Sequence, residues 1–448
     1  MSKTAIRGAI LIASIALSLA ARPGWAQIGG VMPLRTDPAN LGIERAANRA
    51  MSTLADNETF SDPKLNAAIA RKDYTYLLDV YGKKCHPASP QPDPGQDYSK
   101  SGTGVTNCRL LAELHWNGQG VPRDVTKAIS YYQMAADGGD WPAVEFLVRI
   151  YFQGVDVPRD QAKALDELSH YVAIRGLSPR RLCAATIDLG AVYAYGTPPD
   201  GVDAAKAYQQ CIDKTVWIPH KTVEEVVRAR TLLANLYDDG KLVPADPGRA
   251  VKLYAEILDA DVPAADKANA QLHLGQCLID GRGVGKNVER GMALIRAAAD
   301  AKNAEASFAL YKIYVADTNG DAAQAAHYLA QAADLNVLEA QYLMGEKALQ
   351  STPPDLKEAR SWLQSAALQG YVEAQVAMGE LDLKYDPIPA RGEPEAYMWF
   401  DLAAQNKNSR GAAARDALAS KLSADAVAQA MATETELKAK FPAAVAAP

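Results

Sequence analysis

The sequence predicts an all-α protein built from a series of helical hairpins, on the order of eight of them. A unit in which glycine follows one helix and aspartate precedes the next recurs along the chain, and successive turn glycines are 36, 42, 44 and 41 residues apart. Apolar residues between the turns follow a 3.6-residue period, which is typical of amphipathic helices. Alanine is abundant whereas only six phenylalanines occur in 448 residues, a composition that favours closely packed helices. The turn glycines are Gly118, Gly154, Gly196, Gly240 and Gly281.

Each residue type that recurs in the turn of the unit has a physical reason to be there. Glycine ends the first helix because it adopts a positive φ without a Cβ penalty. Proline follows in the loop, where a missing N–H does no harm, and an aspartate is then placed to cap the second helix. The residues at these two positions are Pro122, Pro158 and Pro244, and Asp124, Asp160 and Asp246.

The helices on either side of a turn each carry one apolar face. A single hairpin cannot bury such faces, whereas hairpins stacked in series can. The unit weakens around residues 314–328, where Asp317 replaces the turn glycine, and it returns from Leu338 and again from Glu373. In the unit around Gly240, the positions expected to face the neighbouring helices are Leu233, Leu236, Tyr237, Val251, Tyr254 and Leu258.

The recurring pattern of turn Gly, Gly-Val, Asp, Lys-Ala, then Ala-Ala and Gly resembles the Sel1-like repeat, a tetratricopeptide-like family. Good copies are LHWNGQGVPRDVTKAISYYQMAADGG from Leu114 and LIDGRGVGKNVERGMALIRAAAD from Leu278. The resemblance covers residues 107–408. It implies a right-handed α-solenoid of Sel1/TPR-like helical hairpins whose curved surface binds one or more protein partners.

The remaining residues are expected to form three further segments. Residues 1–26 are interpreted as a signal peptide, residues 27–106 as an N-terminal helical segment with a Pro/Gly-rich loop, and residues 409–448 as C-terminal capping helices and tail. A cap is required because the last hairpin of a solenoid has no further repeat to cover its apolar face. The tail residues expected to be buried against it are Leu418, Leu422, Val427, Met431 and Leu437.

The N-terminus predicts export. Lys3 and Arg7 precede an apolar run over residues 8–21, which is too short for a comfortable membrane span, and Ala26 lies at a suitable cleavage point before Gln27. No cysteine occurs at that point, so a lipid anchor is not expected, and an uncleaved membrane anchor is the alternative. The mature chain is therefore expected to be periplasmic or secreted.

An oxidising compartment changes the interpretation of the five cysteines. Cys85 and Cys108 flank a segment rich in Pro, Gly and Ser, and Cys183 and Cys211 fall on the two helices of one predicted hairpin. Both pairs are therefore predicted to form disulfides. Cys277 is left over on an apolar helix face, where a buried unreactive thiol is favoured over a reactive one. No CxxC occurs and the six histidines are scattered, so no metal site is predicted.

A narrower resemblance concerns residues 238–254, DDGKLVPADPGRAVKLY. This segment is similar to a repeat of the periplasmic Sel1/TPR scaffold protein of bacterial alginate export, which supports an outer-membrane polysaccharide channel and its associated enzymes. The resemblance implies a role in exopolysaccharide synthesis or export. The sequence departs from that family in lacking a lipobox cysteine, and the similarity spans one loop and helix. A secreted or periplasmic adaptor in envelope signalling or host contact is the alternative.

Three motifs invite a catalytic or ligand-binding interpretation but are each explained by the repeat. Gly281–Lys286 is glycine-rich, yet Asn287 stands where a phosphate loop has Ser or Thr, so the segment is interpreted as a turn between helices. His115 occupies an apolar helix position and is interpreted as a packed histidine. Asp238 and Asp239 are adjacent at a helix end, where they do not face each other, and are interpreted as a solvated terminus.

Three tryptophans are candidate sugar-stacking residues. Trp362 and Trp399 match the repeat aromatic that packs between helices and are interpreted as core residues. Trp217 lies between helices near Pro219 and His220, and it is left open as a surface aromatic.

The function class that remains is a non-catalytic protein-interaction scaffold of the cell envelope. The net charge of −6 disfavours nucleic-acid binding, because that requires a basic surface to displace counterions. No catalytic, cofactor-binding or metal-binding residue is identified, and no cofactor is expected. The expected partners are envelope proteins, such as an outer-membrane export channel or polysaccharide-modifying enzymes. The third function class left open is an enzyme whose site the sequence does not reveal. No transmembrane segment is expected in the mature chain.

Overall fold

Helix is the regular secondary structure in every part of the chain that the structure describes. The computed structural model describes residues 63–85, 103–154, 156–174, 176–215, 223–317, 321–386 and 388–444, and these ranges contain no strand. The predicted all-α class is confirmed. The segment predicted to be a signal peptide, residues 1–26, and Trp217 both lie outside the described residues.

The helices belong to two compact units, an N-terminal unit within residues 63–301 and a C-terminal unit within residues 302–444. The N-terminal unit contains α1 (Pro63–Arg71), α2 (Tyr74–Lys84), α3 (Thr103–Asn117), α4 (Val125–Asp137), α5 (Trp141–Gln153), α6 (Gln161–Ala173), α7 (Pro179–Ala194), α8 (Gly201–Thr215), α9 (Val223–Asp239), α10 (Pro247–Leu258), α11 (Ala264–Asp280) and α12 (Val288–Asp300). The C-terminal unit contains α13 (Ala304–Ala316), α14 (Ala322–Asp334), α15 (Leu338–Leu349), α16 (Leu356–Ala367), α17 (Val372–Tyr385), α18 (Pro389–Gln405), α19 (Ser409–Ala419), α20 (Ala424–Lys440) and a 3₁₀ turn (Pro442–Ala444).

Consecutive helices from α3 to α18 pack as hairpins, five in the N-terminal unit and three in the C-terminal unit of the described chain. Within each unit, the second helix of one hairpin packs against the first helix of the next. This stacking is the arrangement of a helical-repeat solenoid, and it confirms the predicted α-solenoid class. The first helices of the hairpins are α3, α5, α7, α9 and α11 in the N-terminal unit and α13, α15 and α17 in the C-terminal unit.

The predicted N-caps form as expected. The side-chain oxygens of Asp124, Asp160 and Asp246 accept the backbone N–H groups three residues later at 2.9, 3.0 and 3.0 Å. Each bond satisfies one of the orphan donors at the start of a second helix. The short polar residue before the helix therefore fixes where α4, α6 and α10 begin.

The turn glycines follow the prediction at four of the five positions. Gly118, Gly154, Gly240 and Gly281 have φ values of 67°, 75°, 64° and 78°. Gly196 is different, because its φ is not positive. The helix before it, α7, ends at Ala194, two residues before the glycine, whereas the other four helices end directly before theirs. A Cβ at Gly196 would lie 2.7 Å from the carbonyl oxygen of Val192. The prediction of a left-handed glycine was therefore wrong at Gly196, where glycine is required for close approach instead.

Close approach of the two helices defines the core of each hairpin. A large side chain of the second helix packs onto a glycine of the first, as Tyr208 does on Gly190 and Phe400 does on Gly379. A Cβ at either glycine would overlap the ring. The predicted apolar faces are also found, with Leu233 and Tyr254 wholly buried. The other four predicted positions of that unit, Leu236, Tyr237, Val251 and Leu258, are half-buried.

The C-terminal helices cover the last hairpin, as the predicted cap requires. Leu418 is buried in a cluster with Val376 and Phe400, and Leu422, Val427 and Leu437 are half-buried. The expectation for Met431 was wrong, since 53% of this residue is exposed. Ala430, rather than Met431, faces the core from α20.

Both predicted cysteine pairs lie at disulfide distance in the structure. The Cα atoms of Cys85 and Cys108 are 4.6 Å apart, and those of Cys183 and Cys211 are 4.4 Å apart. These distances lie within the range that a disulfide spans. The first bond ties α3 to the end of α2, and the second ties α8 to α7.

Peptide mapping of the unreduced protein is expected to recover these two linkages and a free Cys277. The physical reason is that the fold already holds each pair at bonding distance, whereas Cys277 is buried and the structure pairs it with no other cysteine. Closing loops of 23 and 28 residues is worth about 3 kcal/mol each on the chain-entropy model. A linkage through Cys277, or free thiols at the other four positions, would contradict this pairing.

Candidate interaction surfaces

The first helices in the N-terminal unit carry charged residues at helical spacing along one side, and these residues range from exposed to largely buried. On α5, Glu145 and Arg149 are four residues apart on the side that is not buried. Corresponding positions on α3, α7 and α9 are also charged. We call this surface the N-terminal face and define it by Arg109, Glu113, Glu145, Arg149, Arg181, Asp188 and Arg228.

A buried ionic triad lies at one end of the N-terminal face. Arg109 donates to Oε1 of Glu113 at 2.7 Å and contacts Oδ1 of Asp140 at 3.0 Å. Burial raises the pKa of both carboxyls, and Arg109 opposes that rise. Burial would lower the pKa of the Arg109 guanidinium, but Asp140 and Glu113 outweigh it and raise that pKa. Asp140 also caps α5 by accepting the N–H of Ala143 at 3.0 Å, so the triad links α3 to the start of α5.

Asp188 occupies the middle of the same face on α7. Burial raises the pKa of this carboxyl to about 7, with Glu145 adding to the rise and Arg228 opposing it. The folded chain therefore holds a proton on Asp188 much more tightly than an unfolded chain, where the ordinary pKa is 3.8. The contribution of Asp188 to the free energy of unfolding is most favourable below pH 3.8, where the carboxyl is protonated in both the folded and the unfolded chain. This contribution is lost as the pH rises through about 7, because the folded chain must then hold a buried charge.

Replacing Asp188 with asparagine is expected to stabilise the N-terminal unit at alkaline pH. Asparagine removes the cost of a buried charge, so the variant should gain about 1–3 kcal/mol at pH 8.5, and the gain should shrink as the pH falls toward 4. Thermal unfolding between pH 4 and 8.5 measures the difference. Asp259→Asn, at an exposed aspartate in the same unit, is the control and should show no such trend. A gain that is the same at every pH would contradict the assignment.

The first helices of the C-terminal unit present a different surface, rich in carboxylates and tyrosines. Lys312 on α13 contacts Glu339 on α15 at 3.4 Å, and Arg410 on α19 pairs with Glu380 on α17. The rings of Tyr342 and Tyr371 are tilted against each other with centroids 5.6 Å apart. We call this surface the C-terminal face and define it by Glu339, Tyr342, Glu346, Tyr371, Glu373, Glu380 and Arg410.

The electrostatics of the C-terminal face favour cations. Burial raises the pKa of Glu346, the neighbouring Glu380 raises it further, and Arg410 opposes the rise. Burial likewise raises the pKa of the Tyr371 phenol to about 12, with Glu373 and Glu339 adding to the rise. Carboxylates beside aromatic rings attract ammonium and guanidinium groups through charge and cation–π contact. A lysine or arginine of a partner would add to Arg410 in relieving the repulsion between Glu346 and Glu380.

Two of the motifs identified in the sequence are structural, as predicted. Gly281 ends α11 in the left-handed conformation, and Asn287 caps α12 by accepting the N–H of Arg290 at 2.9 Å. His115 is 6% exposed and its ring stacks on Tyr131 with centroids 5.5 Å apart. Burial lowers the pKa of His115, with Lys127 adding to the effect and Asp124 opposing it.

The two adjacent aspartates differ from each other. Asp239 is exposed and pairs with Lys241, as expected of a solvated terminus. Asp238 was wrongly interpreted, because its side chain is only 12% exposed and pairs with Arg282. It also accepts the thiol of Cys277, with the sulfur 3.8 Å from Oδ1. Burial, with Asp238 adding, raises the pKa of Cys277 to about 11, which agrees with an unreactive thiol.

The tryptophans that the structure describes lie in or beside the core. Trp399 is 3% exposed, so its core interpretation is confirmed. Trp362 is only half-buried, and its indole N–H donates to Glu358 at 3.4 Å.

The part of the chain that the structure describes holds no candidate metal site. No group of three or more His, Cys, Asp or Glu side chains there is placed to hold a metal ion. In the same ranges, no helix has the length and apolar character needed to cross a membrane. The main surface features are instead the N-terminal face and the C-terminal face, two charged surfaces formed by stacked hairpins. Extended surfaces of this kind are typical of helical-repeat interaction proteins.

Sequence reasoning missed the two faces. The available signal was the spacing of charged residues at i and i+4 on first helices, as in Arg109 and Glu113 or Glu145 and Arg149. That spacing identifies a shared helix face, but it does not show which residues of neighbouring helices lie beside it.

Comparison with protein families identifies the repeat. The family model described as Sel1 repeat matches residues 108–140, 149–166, 227–260, 268–303, 317–337, 338–371 and 372–408. The chain is therefore a member of the Sel1 repeat family, whose proteins are generally non-enzymatic scaffolds for protein–protein interaction. The matches do not include residues 167–226, where the hairpin α7/α8 lies.

Solved structures of similar proteins include two Sel1-type chains. One is a protective antigen of uropathogenic Escherichia coli strains displaying an SLR fold, with 23% identity, a TM-score of 0.44, and coverage of 76% of this chain and 70% of that one. Another is a Sel1 repeat protein from Oxalobacter formigenes, with 22% identity, a TM-score of 0.49, and coverage of 75% and 92%. No curated protein matches the chain.

Proposed function

We propose that this protein is a periplasmic or secreted scaffold that holds envelope proteins together in an exopolysaccharide synthesis or export complex of the alginate kind. The observation that carries the proposal is the pair of charged surfaces, one on each unit. The N-terminal face carries both positive and negative residues, whereas the C-terminal face is mostly acidic and aromatic. Surfaces of different chemistry favour different partners, because charge complementarity sets specificity.

The extracytoplasmic location is supported by two features. The sequence of residues 1–26 has the basic start, short apolar run and small-residue boundary of an export signal. Two cysteine pairs lie at disulfide distance, and disulfides persist in oxidising compartments.

The exopolysaccharide role is supported by the segment 238–254, which resembles a repeat of the alginate-export scaffold. In the structure this segment contains the turn at Gly240, the loop after it and most of α10. The partners that fit such a role are an outer-membrane export channel and polysaccharide-modifying enzymes.

The test is affinity capture from envelope extract with the full chain as bait, followed by mass spectrometry. Two variants separate the faces: Glu145→Lys on the N-terminal face, and Glu346→Lys with Glu373→Lys on the C-terminal face. The control is Glu436→Lys, an exposed residue of α20. We expect each face variant to lose a different partner and the control to lose none.

The outcome also separates the two functions that the sequence leaves open. Capture of a β-barrel export channel or of polysaccharide-modifying enzymes supports the proposal. Capture of sensor or host proteins alone would replace it with the adaptor function. Capture that is unaffected by either face variant would refute the role of the two faces.

A further inference from the structure

A groove lies between the second helices α8 and α10 of the N-terminal unit. It is a cavity of about 550 Å³ between α8, the loop after α9 and the start of α10. Its apolar lining comes from Val202 and Ala205 on α8 and from Val243 and Pro244 in the loop. Val202 is 54% exposed, so this apolar surface is open to solvent.

The walls of the groove are held in place by the fold. The disulfide between Cys183 and Cys211 ties α8 to α7. At the start of α8, a Cβ on Gly201 would overlap the carbonyl of Leu242, so glycine allows the loop to lie against the helix. A groove with fixed walls binds a ligand at a smaller entropic cost than a mobile one.

The opposite wall is fixed by Arg249. Its guanidinium lies over the Tyr237 ring, 4.4 Å from the centroid, and it donates to Oε1 of Gln209 on α8 at 3.3 Å. Arg249 therefore bridges α10 and α8 across the groove while its charge stays at the rim.

The rim of the groove is positively charged. Lys206, Lys214 and Arg249 line it together with a single carboxylate, Asp213. Lys206 pairs with Asp203, and Asp213 accepts the amide of Gln209 at 2.8 Å. Lys214 is exposed and forms no ion pair with any residue in the described ranges. This cationic rim contrasts with the chain as a whole, whose net charge is −6.

We propose that the groove between α8 and α10 is a second docking site, which takes a short protein segment with apolar side chains flanked by carboxylates. The apolar side chains pack on Val202 and Pro244, and the carboxylates pair with Lys214 and Arg249. Charge complementarity selects this occupant over a basic segment. The site rests on the scaffold function proposed above and adds a partner class that neither first-helix face favours. It involves the hairpin α7/α8, which lies outside the Sel1 matches.

The test uses the purified full chain and two fluorescein-labelled peptides, measured by fluorescence anisotropy. The acidic peptide has leucine and phenylalanine flanked by glutamates, and the basic peptide has lysines in place of the glutamates. We expect the acidic peptide to bind at least tenfold more tightly than the basic one. Lys214→Glu and Val202→Asp should each weaken the acidic peptide tenfold or more, and Lys214→Glu should strengthen the basic one.

Matched controls exclude general effects of charge and polarity. Lys252→Glu changes an exposed lysine of α10 that does not line the groove, and Val288→Asp changes a 47% exposed valine at the start of α12. Both should bind the acidic peptide as the unaltered chain does. Equal binding of the two peptides, or full binding by Lys214→Glu and Val202→Asp, would overturn the proposal. Because no envelope extract is used, this result is independent of the capture experiment above.

Discussion

Truncation after Asn408 is expected to unfold the C-terminal unit partly or to make the chain aggregate. The removed helices cover apolar surface of α18, where Leu418 packs beside Phe400 and where Phe441 packs on the cluster that contains Trp399. Burial of four or five such side chains is worth on the order of 5–10 kcal/mol before the ordering entropy is subtracted. The N-terminal unit should stay helical, because contacts in a solenoid are mostly between neighbours.

A shorter deletion, of residues 442–448, should cause a smaller loss in the same unit. The carbonyl of Ala444 accepts the side-chain amides of Gln375 and Asn406 at 2.7 and 3.1 Å, and Gln375 is wholly buried. Met431→Ala is the control, since an exposed side chain contributes little.

Circular dichroism melting and hydrogen exchange by mass spectrometry measure the effect of both deletions. Protection should fall in α17 and α18 and persist in α3–α12. A truncated chain that remains monomeric with an unchanged melting curve, yet loses a partner, would show that the tail is a binding element and not a cap.

Arg109→Met is expected to destabilise the N-terminal unit by about 3–5 kcal/mol at neutral pH, because it leaves two buried carboxyls without their cation. Arg109 is only 13% exposed and contacts both Glu113 and Asp140. Without it the pKa of each carboxyl should rise further, because burial already raises both and Arg109 is the largest opposing influence. The loss should therefore shrink as the pH falls and the carboxyls take up protons. Denaturant unfolding at pH 5 and pH 8 measures it.

Two further variants distinguish this mechanism from a simple packing defect. The triple variant with Arg109→Met, Glu113→Gln and Asp140→Asn removes all three charges, and asparagine can still cap α5. It should recover much of the lost stability. Lys83→Met removes a surface pair whose side chains are 73% and 56% exposed, and it should cost at most about 1 kcal/mol. Equal losses in the single and triple variants would refute the electrostatic explanation.

Much of the fold could be predicted from the sequence because its signals are local. A glycine with positive φ and an aspartate cap act within a few residues, so Gly118 and Asp124 mark the same turn in the sequence and in the structure. The prediction of a left-handed turn was wrong at Gly196, because glycine is needed there for steric reasons. A Cβ at this position would overlap atoms of Val192 and of Gln161, which lies on the preceding second helix. The turns that follow second helices show the opposite case, since Lys302, Asn336 and Lys407 adopt positive φ without being glycine.

By itself, the sequence determined the helical class, the hairpin repeat and the family, because each depends on periodicity or on spacing along the chain. It also predicted two cysteine pairs, which the structure places at disulfide distance. Only the tertiary structure decided which charged residues share a surface. Asp188 and Arg228 are 40 residues apart in the sequence and interact because α7 packs against α9. The burial of Asp238 and the groove beside Val202 likewise depend on contacts between hairpins. Such contacts join residues a whole repeat apart, and a periodic sequence shows that hairpins stack without showing which side chains meet.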